Sequence, residues 1–172
     1  MKRLFVFICL AAIISCIFGT IYATTQQAQR SDANFPQIQL AEDTQAALNS
    51  GQQPDRLIGE PVDIGSSLAP FLSIYDQSGR LIASSARLHG ETPAIPSGVL
   101  QAARGQLYHA VTWQPATGVR IATVTTSGQH YFVLSGRSLT EVERNENRTM
   151  LLAALGWAVS ELCLAAAFLS AR

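Results

Sequence analysis

Two long runs of apolar residues, one near each end of the chain, constrain this sequence more than any other feature. Residues 4–23 contain no charge, and residues 151–171 contain a single charged residue, Glu161. At a rise of about 1.5 Å per residue, each run is long enough to cross the ~30 Å hydrocarbon core of a bilayer as a helix. The sequence therefore predicts two transmembrane helices separated by residues 24–149.

The first apolar run is open to three interpretations. A cleaved signal peptide has a shorter apolar core and a small-residue site, which residues 21–23 (Ile-Tyr-Ala) do not provide. Residues 13–16 (Ile-Ile-Ser-Cys) resemble a lipobox, but the residues that follow Cys16 are apolar rather than polar. We favour a retained anchor, with cleavage or lipidation at Cys16 as the alternatives. For the second run the alternative is a buried helix of a soluble domain.

Basic residues predict the orientation. Lys2 and Arg3 precede the first run, and such residues flank membrane helices mainly on the cytoplasmic side. Residues 1–23 are then a cytoplasmic tip and transmembrane helix, residues 24–149 an extracytoplasmic domain, and residues 150–172 a second transmembrane helix with a short cytoplasmic end. Arg144 and Arg148 disagree with this rule, because they precede the second helix on the outer side. The predicted location is the cell membrane, crossed twice.

Charge and cysteine content exclude several classes of function. Twelve Lys and Arg balance twelve Asp and Glu, so the chain has no basic field for binding nucleic acid. All three cysteines lie in the apolar runs, and none remains in residues 24–149 for a metal site or a nucleophile. No G-x-S-x-G, H-E-x-x-H, P-loop or C-x-x-C motif is present. We therefore expect no enzymatic activity, no cofactor, no metal and no nucleic-acid partner.

Turn residues alternate with β-rich segments from residue 70 onward. Segments 71–75 and 80–85 predict a hairpin around the turn at residues 76–79. Three more strands are predicted at 107–114, 119–126 and 129–137, and short helices at 37–49 and 98–104. The predicted fold is α+β: a PAS-like, five-stranded antiparallel sheet with flanking helices, between two transmembrane helices.

Two segments carry a resemblance to a known family. Residues 74–85 (IYDQSGRLIASS) resemble the first hairpin of PAS-like extracytoplasmic sensor domains, the Cache type included. Residues 131–143 (YFVLSGRSLTEVE) resemble the last strand and exit helix that lead into the second transmembrane helix of bacterial sensor histidine kinases. The resemblance implies the signal-input module of a two-component-type receptor. Because this sequence ends before any phosphoacceptor helix or ATP-binding domain, it does not imply kinase activity.

The expected function is thus a membrane-anchored sensor without its own catalytic output. The alternative is an accessory subunit that binds and regulates another membrane protein through its transmembrane helices. The expected partners are the lipid bilayer, a second copy or a separate membrane or kinase protein, and a small-molecule ligand.

Pairing the last three strands across their turns predicts a ligand-facing side of the sheet. The predicted register sets Trp113 opposite Arg120 and Val124 opposite Tyr131. Strand alternation then places an apolar floor and a few polar groups on one face, as in small-molecule pockets. The five residues of this set are His109, Trp113, Arg120, Tyr131 and Ser135. The alternative is that Arg120 lies on a solvated strand end, and a slip of one residue would separate the set.

The apolar runs contain candidate helix contacts. Small residues recur every four positions, at Ala11, Ser15, Gly19 and Ala23 in the first run and at Gly156 and Ser160 in the second. Such residues let helices approach closely, although small residues also occur in membrane helices by chance.

Glu161 lies at the middle of the second run, where ionisable groups are expected to face protein. Neither run offers it a basic partner, so a second copy or another subunit is predicted. The alternative is a tolerated, isolated glutamate.

Residues 138–141 (Ser-Leu-Thr-Glu) match a capping box, with Ser138 as the N-cap and Glu141 reaching back to it. This pattern predicts a rigid start for a helix that continues into the second transmembrane segment. An ordinary cap without signalling meaning is the alternative.

Overall fold

The computed structural model describes residues 2–170, except for the side chains of residues 29–33. The predicted cytoplasmic end at Ala171 and Arg172 lies outside the described residues. In chain order the elements are α1 (Lys2–Asn49), α2 (Pro54–Leu57), β1 (Val62–Asp63), β2 (Phe71–Asp76), β3 (Leu81–Ser84), β4 (Ala86–Arg87), α3 (Ser97–Ala102), β5 (His109–Ala116), β6 (Val119–Ser127), β7 (Tyr131–Ser138) and α4 (Thr140–Ser170). The chain divides into two compact units, Met1–Arg30 with Val142–Arg172, and Ser31–Glu141. We call them the helical unit and the sheet unit.

Two helical segments are long and apolar enough to cross a membrane, Lys2–Ala28 and Thr140–Ser170. Their most apolar windows have no buried residues, and large side chains such as Phe5 and Leu162 are each 69% exposed. A core helix of a soluble domain buries an apolar stripe, so this exposure favours helices that lie against lipid or another protein.

The sheet unit contains the predicted five-stranded antiparallel sheet, in the order β3-β2-β7-β6-β5. Strands β1 and β4 form a separate, parallel two-stranded sheet. The three inner strands are buried along most of their length because both faces of the sheet are covered.

Each face of the sheet has its own core. One face packs against Leu100 of α3 and against Ile64 and Ala86, and its buried strand residues are Phe71, Tyr75, Trp113, Ile121, Phe132 and Leu134. The other face packs against Ala41 and Leu48 of α1, and its buried strand residues are Leu72, Ile74, Val124 and Val133. The α1 segment predicted as the helix 37–49 therefore forms one wall of the sheet unit.

Asp76 organises the turn between β2 and β3. Its Oδ1 accepts hydrogen bonds from the Ser78 hydroxyl (2.5 Å) and from the backbone N–H groups of Ser78 (2.9 Å) and Arg80 (3.0 Å). Chiefly because the Ser78 hydroxyl stabilises the charged form, with the Arg80 N–H next in effect, the pKa of Asp76 is lowered to about 2. Gly79 closes the turn with a φ of +86°, a conformation that glycine adopts without a steric penalty.

The predicted register of the last three strands is wrong. Trp113 pairs with Ile121 rather than Arg120, because a two-residue turn joins Ala116 to Val119 and the ladder is irregular between Trp113 and Ala116. Val124 pairs with Ser135 rather than Tyr131. The connection between β6 and β7 is longer than predicted, and in it the Gly128 N–H donates to the Tyr131 carbonyl (2.9 Å).

Candidate functional site

The five residues predicted to share a ligand-facing side lie on both faces of the sheet. His109 and Trp113 share the face of Ile121, whereas Arg120, Tyr131 and Ser135 lie on the opposite face. The one-residue slip between β5 and β6 is the cause, because it exchanges the two faces of a strand.

Individually, these residues have different environments. Trp113 is a core residue and Ser135 is fully buried, whereas His109 and Tyr131 are half-buried and Arg120 is exposed. The structure thus does not assemble the predicted pocket, and ligand binding by any one of these residues stays a prediction.

In the helical unit, α1 and α4 are joined by a chain of side-chain hydrogen bonds. The Trp157 indole Nε1–H donates to Ser15 Oγ (3.0 Å), and the Ser15 hydroxyl donates to Glu161 Oε1 (3.4 Å). Trp157 and Glu161 are four residues apart and therefore lie on the same face of α4. A hydroxyl both accepts and donates, so one serine links two side chains of the other helix. We call this arrangement the Trp157–Ser15–Glu161 contact.

This contact supplies Glu161 with a partner inside its own chain. The sequence pointed to a second copy or another subunit because neither apolar run contains a basic residue. A serine hydroxyl is a weaker partner than a cation, but it is a hydrogen-bond donor that an apolar helix can carry at little cost. Trp157 was not among the predicted contact residues, although its spacing of four residues from Glu161 was a usable signal.

The predicted small residues have different surroundings. A Cβ added to Gly156 would lie 2.8 Å from Phe18 Cε1. The Phe18 ring of α1 therefore occupies space that is free only because residue 156 is a glycine. Ser160 donates instead to the Gly156 carbonyl of its own helix (2.8 Å). Gly19 has no described atom within 4 Å of its Cβ position, and Ala11 is half-buried.

Three contacts along the two helices define how they pair. Phe7 and Phe168 approach with ring centroids 4.9 Å apart, Ser15 bonds Glu161, and Phe18 lies against Gly156. As the residue number rises in α1 it falls in α4, which means that the helices are antiparallel. Aromatic and polar contacts therefore hold the two helices together over thirteen residues of α4, from Gly156 to Phe168.

A second candidate site is the junction of β7 with α4 in the sheet unit. One residue, Leu139, separates the two elements, and its N–H donates to the Arg120 carbonyl of β6 (2.9 Å). Arg137 donates to the Leu68 carbonyl (2.9 Å) and pairs with Glu141 (3.3 Å). Glu141 in the first turn of α4 is thus paired with β7, and the residues just before α4 are hydrogen-bonded to β6 and to the loop that precedes β2.

The predicted capping box forms differently at this junction. Helix α4 begins at Thr140, one residue later than a cap at Ser138 requires. Ser138 Oγ therefore accepts from the Thr140 N–H (3.3 Å), and the Glu141 carboxylate turns to Arg137. The reason is the ladder between β6 and β7, which extends to the pair of Ile121 with Ser138 and keeps Ser138 in the strand.

No family model, no curated protein and no solved structure matches this chain. Among the residues that the structure describes, no group of three or more His, Cys, Asp or Glu side chains could hold a metal ion.

Proposed function

We propose that this protein is a membrane-anchored extracytoplasmic sensor. In this proposal it crosses the cell membrane twice, with both termini in the cytoplasm and the sheet unit outside. It serves as the signal-input module of a two-component-type receptor and has no catalytic output of its own. The observation that carries the proposal is the junction in which Leu139 alone connects β7 to the apolar helix α4.

The position of β7 explains why this junction suits signal input. It is the central strand of the sheet, and its side chains Phe132, Val133 and Leu134 belong to the two cores. A ligand that changes the packing of either core therefore acts on the strand that leads into α4. A long flexible linker would absorb such a change, whereas a one-residue connection hydrogen-bonded to β6 transmits it.

The PAS-like resemblance of residues 131–143 supports the same proposal, because it covers this junction. In the family that it resembles, this segment connects a sensor sheet to a transmembrane helix.

One observation favours the alternative, an accessory subunit that regulates another membrane protein. An open apolar groove of about 340 Å³ lies between α1 and α4 beside the Trp157–Ser15–Glu161 contact. Gly19, Ala153 and Ala154 are among its walls, and small residues allow another helix to approach closely.

Reporter fusions test the membrane placement. An enzyme that is active only outside the cytoplasm should be silent when it is fused after Arg172. It should be active when it is inserted at Gly90, in an exposed turn of the sheet unit. Activity at the carboxyl terminus would contradict the two-pass arrangement.

Amide hydrogen exchange of the full chain in lipid nanodiscs tests the coupling. The conservative core substitution Ile121→Val should raise exchange at the start of α4, residues 140–146. Inserting two glycines between Ser138 and Leu139 should abolish this response, and the same insertion at Gly90 should preserve it. If Ile121→Val, without any glycine insertion, leaves the exchange of residues 140–146 unchanged, the sensor proposal is wrong. Capture of a membrane protein that contacts Gly19 would then favour the accessory subunit.

A further inference from the structure

A separate groove between α1 and α4 contains the basic residues of the amino terminus. Its volume is about 440 Å³, and Lys2 and Arg3 belong to its lining. The rest of the described lining is apolar: Val6, Phe7, Leu10, Leu164, Ala167 and Phe168. Two of these eight side chains are basic and six are apolar, so the groove has an apolar length with basic residues at one end.

The dimensions of this groove match one leaflet of a bilayer. From Lys2 to Leu10, α1 rises about 12 Å, against ~15 Å for half of the hydrocarbon core. The contact of Phe7 with Phe168 places an aromatic ring of each helix in the lining. The two cations lie at the end of α1 that the proposed topology places at the cytoplasmic surface.

We propose that this groove binds an anionic phospholipid of the cytoplasmic leaflet. One acyl chain lies along the apolar residues, and the headgroup phosphate contacts Lys2 and Arg3. Charge complementarity selects this occupant, because basic pockets between transmembrane helices on the cytoplasmic side attract acidic headgroups. A zwitterionic lipid fits the same apolar length but gains less from the two cations. The inference rests on the proposed membrane placement.

Native mass spectrometry of the full chain, released from micelles with equal amounts of phosphatidylglycerol and phosphatidylcholine of identical acyl chains, tests the site. A basic residue near such a headgroup contributes about 1 kcal/mol, equivalent to a factor of about five. We expect the first lipid adduct to favour phosphatidylglycerol by at least about fivefold. Lys2→Gln with Arg3→Gln should bring the ratio close to one. The matched control is Arg144→Gln with Arg148→Gln, which removes two exposed arginines near the start of α4 and should preserve the ratio.

Two further arms test the acyl chain. Ala167→Phe adds bulk to the groove, keeps both cations and should reduce the retention of both lipids. Glycerol phosphate, which has the headgroup charge but no chain, should not displace the bound lipid. The lipid site is overturned if the unsubstituted chain binds phosphatidylglycerol and phosphatidylcholine equally. It is also overturned if the preference for phosphatidylglycerol persists without Lys2 and Arg3, or if the Arg144 and Arg148 control lowers this preference as much as the loss of Lys2 and Arg3 does. Unchanged retention in Ala167→Phe, or displacement by glycerol phosphate, also overturns it.

The reporter fusions, repeated on the same variants, separate this inference from the proposed topology. A silent fusion after Arg172 together with a ratio near one means that the lipid site alone is wrong. An active fusion means that the membrane placement is wrong and that the lipid inference falls with it.

Discussion

Replacing Ser15 with alanine removes both hydrogen bonds of the Trp157–Ser15–Glu161 contact at once. The indole N–H and the carboxylate of α4 then lose their shared partner on α1, and no atom is added that could clash. Ser15→Ala should therefore weaken the pairing of α1 with α4 without changing either helix.

The size of the effect follows from the two distances. Hydrogen bonds between membrane helices contribute about 0.6 kcal/mol on average and 1–2 kcal/mol in model peptides. The Trp157 bond, at 3.0 Å, is well formed, whereas the Glu161 bond, at 3.4 Å, is long. We expect a loss of about 1–2 kcal/mol, which shifts the equilibrium between paired and separated helices roughly 5- to 30-fold.

The chain is suited to a direct assay because it contains only two tryptophans, Trp113 and Trp157. A ¹H–¹⁵N spectrum therefore contains two indole N–H signals, and Trp157→Phe assigns them. Titrating the full chain in mixed micelles with SDS and following the Trp157 signal measures the stability of the helix pair. In Ser15→Ala this signal should shift before any SDS is added, and its midpoint should fall.

Ser160→Ala is the matched control, because the Ser160 hydroxyl bonds the carbonyl of its own helix. It should leave both the Trp157 signal and the midpoint nearly unchanged. The reasoning is refuted if Ser15→Ala leaves the indole signal in place, or if the two alanine variants lower the midpoint equally.

Three further substitutions test the helix contact, the packing of the sheet and the turn between β2 and β3. Glu161→Gln, which keeps a side-chain oxygen acceptor, should retain most of the helix-pair stability in the SDS titration, whereas Glu161→Leu should lower it; equal midpoints would remove Glu161 from the contact. Gly136→Ala would bring a Cβ to 2.6 Å from Phe71 Cε1, so it should destabilise the sheet unit by about 1–3 kcal/mol in urea unfolding. Gly98→Ala, which has open space, should cost nothing measurable, and similar losses for both would contradict the packing argument. Because the pKa of Asp76 is lowered from 3.8 to about 2, its contribution to stability is complete above pH 3.8 and is lost as the pH falls toward 2. Asp76→Asn should flatten the stability curve in that window, and an unchanged acid limb would contradict the role of the turn.

Local features of the sequence were sufficient for the long apolar helices and the five strands of the main sheet, but not for α2 or for the small pair of β1 with β4. The apolar runs 4–23 and 151–171 predicted the two long apolar helices, because length and apolarity are properties of a single segment. The turn at residues 76–79 predicted the first hairpin for the same reason, since Asp76 and Gly79 determine the local backbone. These predictions depend on residues that are neighbours in the chain, and the structure contains the elements that they describe.

The register of the sheet required the tertiary structure. Both faces of the inner strands are buried, so apolar alternation does not distinguish one register from the next. The pairing depends on the turn between Ala116 and Val119 and on the longer connection after Ser127. The predicted set of five ligand residues was separated for this reason.

The partner of Glu161 was also decided only by the tertiary structure. The sequence by itself determined that a carboxylate lies at the middle of an apolar helix and needs a hydrogen-bond partner. Ser15 and Glu161 are 146 residues apart in the chain, and no local pattern connects them. They meet because α1 and α4 pair antiparallel, with Phe7 against Phe168 and Phe18 against Gly156, and this packing places the hydroxyl opposite the carboxylate.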